Sequence, residues 1–199
     1  MPQKLILPIN NALLTASWKS QRYQEKFGLI HYGADLISAT RNTLVYALGS
    51  GRVLEAGWDR VLGNSVVVQY TNAFRHTNNT ARNLICRIYH LDQILTRKGA
   101  ILTKDTRLGY YGSTGQLTTG PHLHIEVDTD VKYPFHTPTV IGRTTLFFGR
   151  NYGATDATMS NPLEWLHCKT SAPDGQSYAI QNTDYTRPED RDIPKITQL

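Results

Sequence analysis

The stretch Gly120-Pro121-His122-Leu123-His124-Ile125-Glu126-Val127 carries two imidazoles two residues apart. The Gly-Pro turn and the alternation behind it predict a β-strand. Side chains two apart on a strand share a face. His122 and His124 therefore project side by side, and Leu123 and Ile125 face the opposite layer. Two imidazoles so placed are either paired metal ligands or one ligand beside one acid/base group. An isolated His-x-His pair reads as two surface histidines on a half-exposed strand, so other stretches must tip the balance.

Three further groups do so. In Leu29-Ile30-His31-Tyr32-Gly33-Ala34-Asp35-Leu36, the glycine and the aromatic predict a short strand and a tight turn that let His31 and Asp35 converge. Alone, that pair reads as a hydrogen-bonded contact. His90 ends an apolar strand over residues 83–90. By parity it shares a face with Leu84, Cys86 and Ile88, while Ile85 and Tyr89 share the other. A catalytic zinc takes three protein ligands and keeps one position open. Two histidines and a carboxylate give a site of charge about +1, which lowers the pKa of a bound water from about 15.7 towards roughly 7. Two more imidazoles are suited to move its proton and to stabilise an oxyanion. Five groups fit this division of labour, and the pattern leaves open which three hold the metal.

The elements that must position them read as mainly β. At 199 residues the chain fits one domain with appendages. Eleven tyrosines, fifteen glycines and many Val, Thr and Ile favour strands. A Gly49-Ser50-Gly51 turn between residues 44–47 and 52–56 predicts a hairpin. Strands are expected over residues 65–70, 83–90, 101–108 and 139–148. Residues 71–82 read as a polar loop carrying His76, 91–95 as one helical turn, and 162–166 as a short helix capped by Asn161. The glycine-rich turn at 109–115 lacks the lysine and helix of a phosphate loop. Residues 1–27 read as an irregular segment packed on the domain, with a candidate strand at 12–18. Residues 169–199 read as an extended or disordered tail.

Composition narrows the partners. A net charge of +5 favours anionic ones, such as nucleic acid or a bacterial wall. The basic residues are scattered, which disfavours nucleic acid. No stretch approaches the roughly 18 apolar residues of a membrane span. The run at residues 5–9 is too short for a signal peptide, so delivery by another route, by a phage or by lysis, or a leader outside this chain, is expected. Cys86 reads as a buried small hydrophobe, and no disulfide with Cys168 is indicated.

Taken in order, His31-x-x-x-Asp35, Tyr89-His90-Leu91, and Gly112-Ser113-Thr114-Gly115 followed by Gly120-Pro121-His122-Leu123-His124-Ile125-Glu126 resemble the signature of the lysostaphin-like (LytM-type) zinc metallopeptidases. The likeness covers about residues 28–127, plus Asn161-Pro162-Leu163. It implies an antiparallel β-sheet or sandwich of the LytM-type peptidase domain (duplicated hybrid motif-like) with short helices and a groove across the metal. It implies Zn2+ held by His31, Asp35 and His124, with His90 and His122 in catalytic roles. The implied activity is hydrolysis of peptide bonds in peptidoglycan stem peptides or cross-bridges, in the extracytoplasmic wall. The implied layout is residues 1–27, a domain at 28–168 with an insertion at 128–160, and the tail at 169–199.

Members of that family that have lost ligands act as non-catalytic amidase activators. All five positions are intact here, which favours the enzyme over a peptidoglycan-binding scaffold or an amidase activator; a wall-penetrating tip of a phage or secretion machine, built on the same fold, is a second alternative. Glu126 shares a face with His124 and reads either as a group that orients a histidine or, more modestly, as a solvent-facing or structural carboxylate. Thr114, Tyr110 and Tyr111 are candidates for the groove lining. The insertion reads equally as a groove wall, a lid or a surface loop. His136 and His167 fall outside the motifs, and the sequence does not fix the oligomeric state.

Overall fold

The computed structural model describes residues 1–9, 11–38, 40, 42–138, 146, 154–169, 178–183 and 185. In chain order the strands are β1 (Asn11–Ala16), β2 (Ala34–Ser38), β3 (Leu44–Tyr46), β4 (Gly51–Asp59), β5 (Gly63–Arg75), β6 (Thr80–Leu91), β7 (Gln93–Ile94), β8 (Ile101–Leu102), β9 (Arg107–Tyr110), β10 (Leu123–Asp128), β11 (Met159–Ser160), β12 (Cys168–Lys169) and β13 (Tyr178–Asn182). Helix α1 (Gln21–Phe27) lies between β1 and β2, and short 3-10 turns occupy Asp156–Thr158 and Pro162–Glu164. Among the described residues, ten strands form one sheet in the order β12-β13-β1-β2-β10-β6-β5-β4-β8, with β11 added at the end of β10. The second sheet is β3-β9-β7. The fold is mainly antiparallel β, as the sequence predicts.

Alternating apolar residues explain how the layers form. Leu36, Leu123, Ile125, Val127, Cys86 and Ile88 line one face of the large sheet and pack with Val45 and Leu108 of the second sheet. Ile85, Tyr89 and Val67 point the other way, into a smaller cluster with Val61, Leu62 and Phe135. Both faces of the central strands are thus covered, which accounts for their nearly continuous apolar runs. The expected short helix after Asn161 is present as a 3-10 turn, and the Asn161 side chain accepts the Leu163 N–H. Cys86 is buried and both cysteines are free.

Several expectations need correction. Residues 44–47 and 52–56 do not form a hairpin: β3 pairs with β9, and β4 pairs with β5. Val45, Ala47 and Leu48 are fully buried, so this segment serves the second layer and the Gly49-Ser50-Gly51 turn passes between sheets. The polar loop at 71–82 is instead the far end of the β5–β6 ribbon, paired out to Arg75 and Thr80. It is polar because its end stands in water; Thr80 to Asn83 are all exposed. Residues 91–95 are not helical, since Leu91 closes β6 and Gln93–Ile94 pairs with β9. The expected strand at 139–148 lies outside the described residues, Leu146 excepted. Residues 101–108 supply two short strands rather than one.

The segments at either end join the large sheet. β1 pairs with β2 on one side and with β13 on the other, and β13 pairs with β12. Helix α1 is capped by Ser20, whose side chain accepts the Tyr23 N–H, and ends at Gly28 in the left-handed conformation.

Leu36 is fully buried and neighbours Asp35 in sequence while facing the opposite layer. Leu36→Ala should lower stability by about 2–5 kcal/mol through the cavity it leaves. Urea unfolding of the two proteins measures this directly.

Candidate metal centre

Strand register assembles the centre. On β10, His124 lies opposite Asp35 of β2 and opposite Tyr89 of β6. The flanking pairs Leu123–Leu36 and Ile125–Ala34 point into the core, so Asp35 and His124 share the other face. His31 precedes β2 and is held in three ways. Its Nδ1 donates to the Ser17 carbonyl at 2.8 Å. Its own carbonyl accepts the Lys19 N–H at 2.7 Å. Its ring stacks on Tyr23, with centroids 4.4 Å apart. The Ser17 contact fixes the tautomer and leaves the Nε2 lone pair for the site.

Three donor atoms then meet. His31 Nε2 lies 3.1 Å from Asp35 Oδ1 and 3.2 Å from His124 Nδ1, and His124 Nδ1 lies 2.7 Å from Asp35 Oδ1. Ligands about 2.0–2.1 Å from a tetrahedral zinc sit about 3.3 Å from one another. Two edges of the triangle come near that and the third, at 2.7 Å, is shorter; two imidazole nitrogens with one carboxylate oxygen are a donor set that zinc accepts. Burial pushes the Asp35 pKa up, but the His31 and His124 imidazoles outweigh it and hold the carboxyl well below its usual range. Burial lowers the His124 pKa, yet bonds to Asp35 and Glu126 raise it to about 10.

His90 and His122 flank this triangle. Leu84, Cys86 and Ile88 face the main core and Ile85 and Tyr89 face away, as parity predicts, but His90 does not follow its parity partners. Between the pairs Asn64–Leu91 and Val66–Ile88, two residues of β6, Tyr89 and His90, oppose only Ser65. This bulge puts His90 at φ 67° and turns it to the face of His124. A non-glycine residue held there costs about 1–3 kcal/mol, characteristic of functional sites. Thr114 secures it: the Thr114 carbonyl accepts from His90 Nδ1 at 2.9 Å, and its hydroxyl donates to the Leu91 carbonyl at 2.6 Å. Gly115 permits this, since at φ 91° it sits directly on Gly63 with no room for a Cβ.

His122 Nδ1 donates to the Gly120 carbonyl at 2.9 Å. The His90 and His122 rings are 4.7 Å apart, and His90 is 6.4 Å from the His124 ring. Both Nε2 atoms thus remain available to the hollow that the four histidines line, of about 50 Å³. A single water needs roughly 10–15 Å³. Burial, helped by His122 and His124, pushes His90 down to about 3. Its ring is neutral at physiological pH and ready to accept a proton.

Behind His124 stands a buried charge network that the sequence reading saw only at Glu126. Glu126 Oε1 lies 3.6 Å from His124 Nε2, while Glu126 Oε2 accepts from Tyr89 at 3.2 Å and Arg87 at 3.4 Å. Arg87 is fully buried and also donates to Asp128 at 2.8 Å and to the Pro134 carbonyl at 2.8 Å. Thr137 bonds both Glu126 and Tyr89. The signal for Arg87 was a charged residue inside an otherwise apolar strand, which demands a buried partner. Tyr23 was missed because it lies on α1, upstream of every motif. Tyr111 does not line the groove; it is buried and its hydroxyl donates to the Pro121 carbonyl, bracing the turn before His122. Tyr110 is a β9 residue that pairs with Leu44 and Gln93. His136 contacts Asp156 at 2.7 Å, outside the centre.

Two outcomes follow from this geometry. A Cβ at Gly33 would lie 2.5 Å from His124 Cε1 and 2.7 Å from the Ile125 carbonyl oxygen. Gly33→Ala should therefore displace His124 and weaken zinc binding by about 10–100-fold, read by chelator competition. Because His124 keeps its proton up to about pH 10 without metal, metal binding at pH 7.5 should release about one proton. The apparent zinc affinity should rise with pH below that value. Calorimetry in buffers of different ionisation enthalpy measures the release.

Residues 29–134 match the model of peptidase family M23. The peptidoglycan DD-endopeptidase ShyB of Vibrio cholerae is 29% identical over 124 residues, 60% of this chain and 26% of that protein. The peptidoglycan DD-endopeptidase ShyA of the same organism is 35% identical over 97 residues, 49% of this chain and 20% of that protein. The chain thus spans about a fifth to a quarter of the length of these curated relatives. A crystal structure of a zinc-containing peptidase from Vibrio cholerae superposes with a TM-score of 0.52 at 27% identity, covering 63% of this chain and 37% of that one. The family match takes in more than half of the sequence and all of His31, Asp35, His90, His122 and His124, and the chain belongs to peptidase family M23.

Proposed function

We propose that the protein is a zinc-dependent endopeptidase that hydrolyses peptide bonds in the stem peptides or cross-bridges of bacterial peptidoglycan, acting on the wall outside the cytoplasmic membrane. The observation that carries this reading is the donor triangle of His31, Asp35 and His124 with two further imidazoles beside it. The descriptions of ShyB and ShyA support the substrate class. In this reading the catalytic unit is residues 28–168, with residues 1–27 packed on it and, of the tail at 169–199, Tyr178–Asn182 paired to β1.

Held by His31, Asp35 and His124, zinc would supply a Lewis acid and a water whose pKa falls from about 15.7 towards about 7. The remaining tasks fall to side chains. His90 is neutral and offers Nε2 as a proton acceptor, because Nδ1 is committed to Thr114. His122 offers Nε2 in the same way, with Nδ1 committed to Gly120. The His122 ring, 4.7 Å away, helps to keep His90 neutral. One imidazole takes the proton of the nucleophilic water at Nε2, while the Nε2 of the other accepts a hydrogen bond that orients that water; the Nε2–H so formed then donates to the developing oxyanion and passes its proton to the leaving amine. Glu126, pinned by Arg87, Tyr89 and Thr137, fixes the ring of His124 from behind.

His31→Ala, Asp35→Ala and His124→Ala should lose zinc and activity together. His90→Ala and His122→Ala should keep zinc and lose about 10²–10⁴-fold in turnover. Zinc lost from His122→Ala but kept by His124→Ala would reassign the ligands. Mass spectrometry of muropeptides released from purified walls, with and without a chelator, tests the reaction. New free amino termini within the peptides, abolished by the chelator, are expected. A zinc-loaded protein that releases nothing from several wall types would instead be a binding scaffold.

A further inference from the structure

Helix α1 lies upstream of the residues matched by the family, yet it walls a cleft of about 540 Å³ that reaches the metal centre at Asp35 and His122. The facing wall is the loop at 116–121. The helix buries none of its residues, so core packing does not explain its composition. Arg22 and Lys26, four residues apart, share one helical face, and both line the cleft. Apart from Asp35 and His122, they are the charged groups of that lining among the described residues. Glu25, the helix's one acid, is absent from the lining and accepts a hydrogen bond from Gln21 at 2.9 Å. Phe27 and Leu117 stand on the two walls, 38% and 37% exposed. The cleft thus offers apolar contacts on both sides and two positive charges on one.

Resting on the reading of a wall-peptide hydrolase, we infer that α1 selects the substrate: Arg22 and Lys26 bind a free carboxylate on the peptide beside the scissile bond. Wall peptides are short acidic strands, and a carboxylate complements this pair of cations. The guanidinium can grip it with two parallel N–H donors while the ammonium adds a point charge. Peptides in which that carboxylate is amidated, and bridges made only of glycine, lack the group that these residues recognise. The selecting residues lie outside the motifs that carry the chemistry, so catalysis and choice of cross-link are separately encoded.

The test is binding of two synthetic cross-linked muropeptides to the zinc-loaded protein. They are identical except that the carboxylate beside the scissile bond is free in one and amidated in the other. The free acid should bind at least tenfold more tightly. In the double variant Arg22→Gln/Lys26→Gln the two peptides should bind within threefold of each other, with affinity for the amide little changed. The same charge removed at Arg52 and Arg82, both exposed and off the cleft, should leave the preference intact. Equal binding of the two peptides, no binding of either, or a preference that survives the α1 double variant overturns the inference. Cleavage of the same peptides is followed separately: selective binding without cleavage would sink the proposed activity and leave the carboxylate site standing.

Discussion

The pairing of β10 with β2 and β6 governs everything at the centre. Side chains alternate along a strand, so the register that buries Leu123, Ile125 and Val127 also sets His124 opposite Asp35 and Tyr89. A slip of one residue would drive Asp35 and His124 into the core and the core residues into the site. Each buried apolar side chain contributes roughly 1.5–3 kcal/mol. The apolar layer therefore holds the donor atoms in place before any metal arrives. Preorganisation here follows from hydrophobic packing on the reverse side of the same strands.

Charged groups on the site face need a second device. Arg87, Glu126 and Asp128 are all removed from water. Arg87 lies between two carboxylates and also meets main-chain carbonyls at Tyr133 and Pro134. Taking away one partner of such a group leaves an uncompensated charge, at about 3–5 kcal/mol. The arrangement ties the start of the segment after β10 to the sheet and gives Glu126 a fixed position behind His124. Part of the insertion thus acts as a brace, and Thr137 extends it.

How much could be read from the sequence follows from how local each signal is. The His122/His124 pair, the His31–Asp35 spacing and the alternation in β6 and β10 depend on neighbours in sequence, and the structure brings these side chains together. His90 was found by its motif but assigned the wrong face, because the bulge at Tyr89–His90 breaks a period of two and has no compositional mark. The glycine turn at 49–51 signals a reversal but not which sheet receives the next strand. The pairing of β1 with β2 and β13 joins segments far apart in sequence and left no local pattern. Arg87 was readable in principle, but its partners become evident only when Glu126 is seen opposite it.

The hydrogen bond from His31 to the Ser17 carbonyl has a consequence for where the working unit ends. The family match begins at residue 29, but the outer side of β2 is paired with β1. A fragment cut at that boundary would present β2 as an open edge, with unpaired N–H and C=O groups that template self-association. The same cut would remove the acceptor that selects the tautomer of His31. Insolubility and a slack His31 ring would then arise from one excision. The matched core names the reagents, while the flanking segment covers the sheet edge and holds the His31 ring in one tautomer.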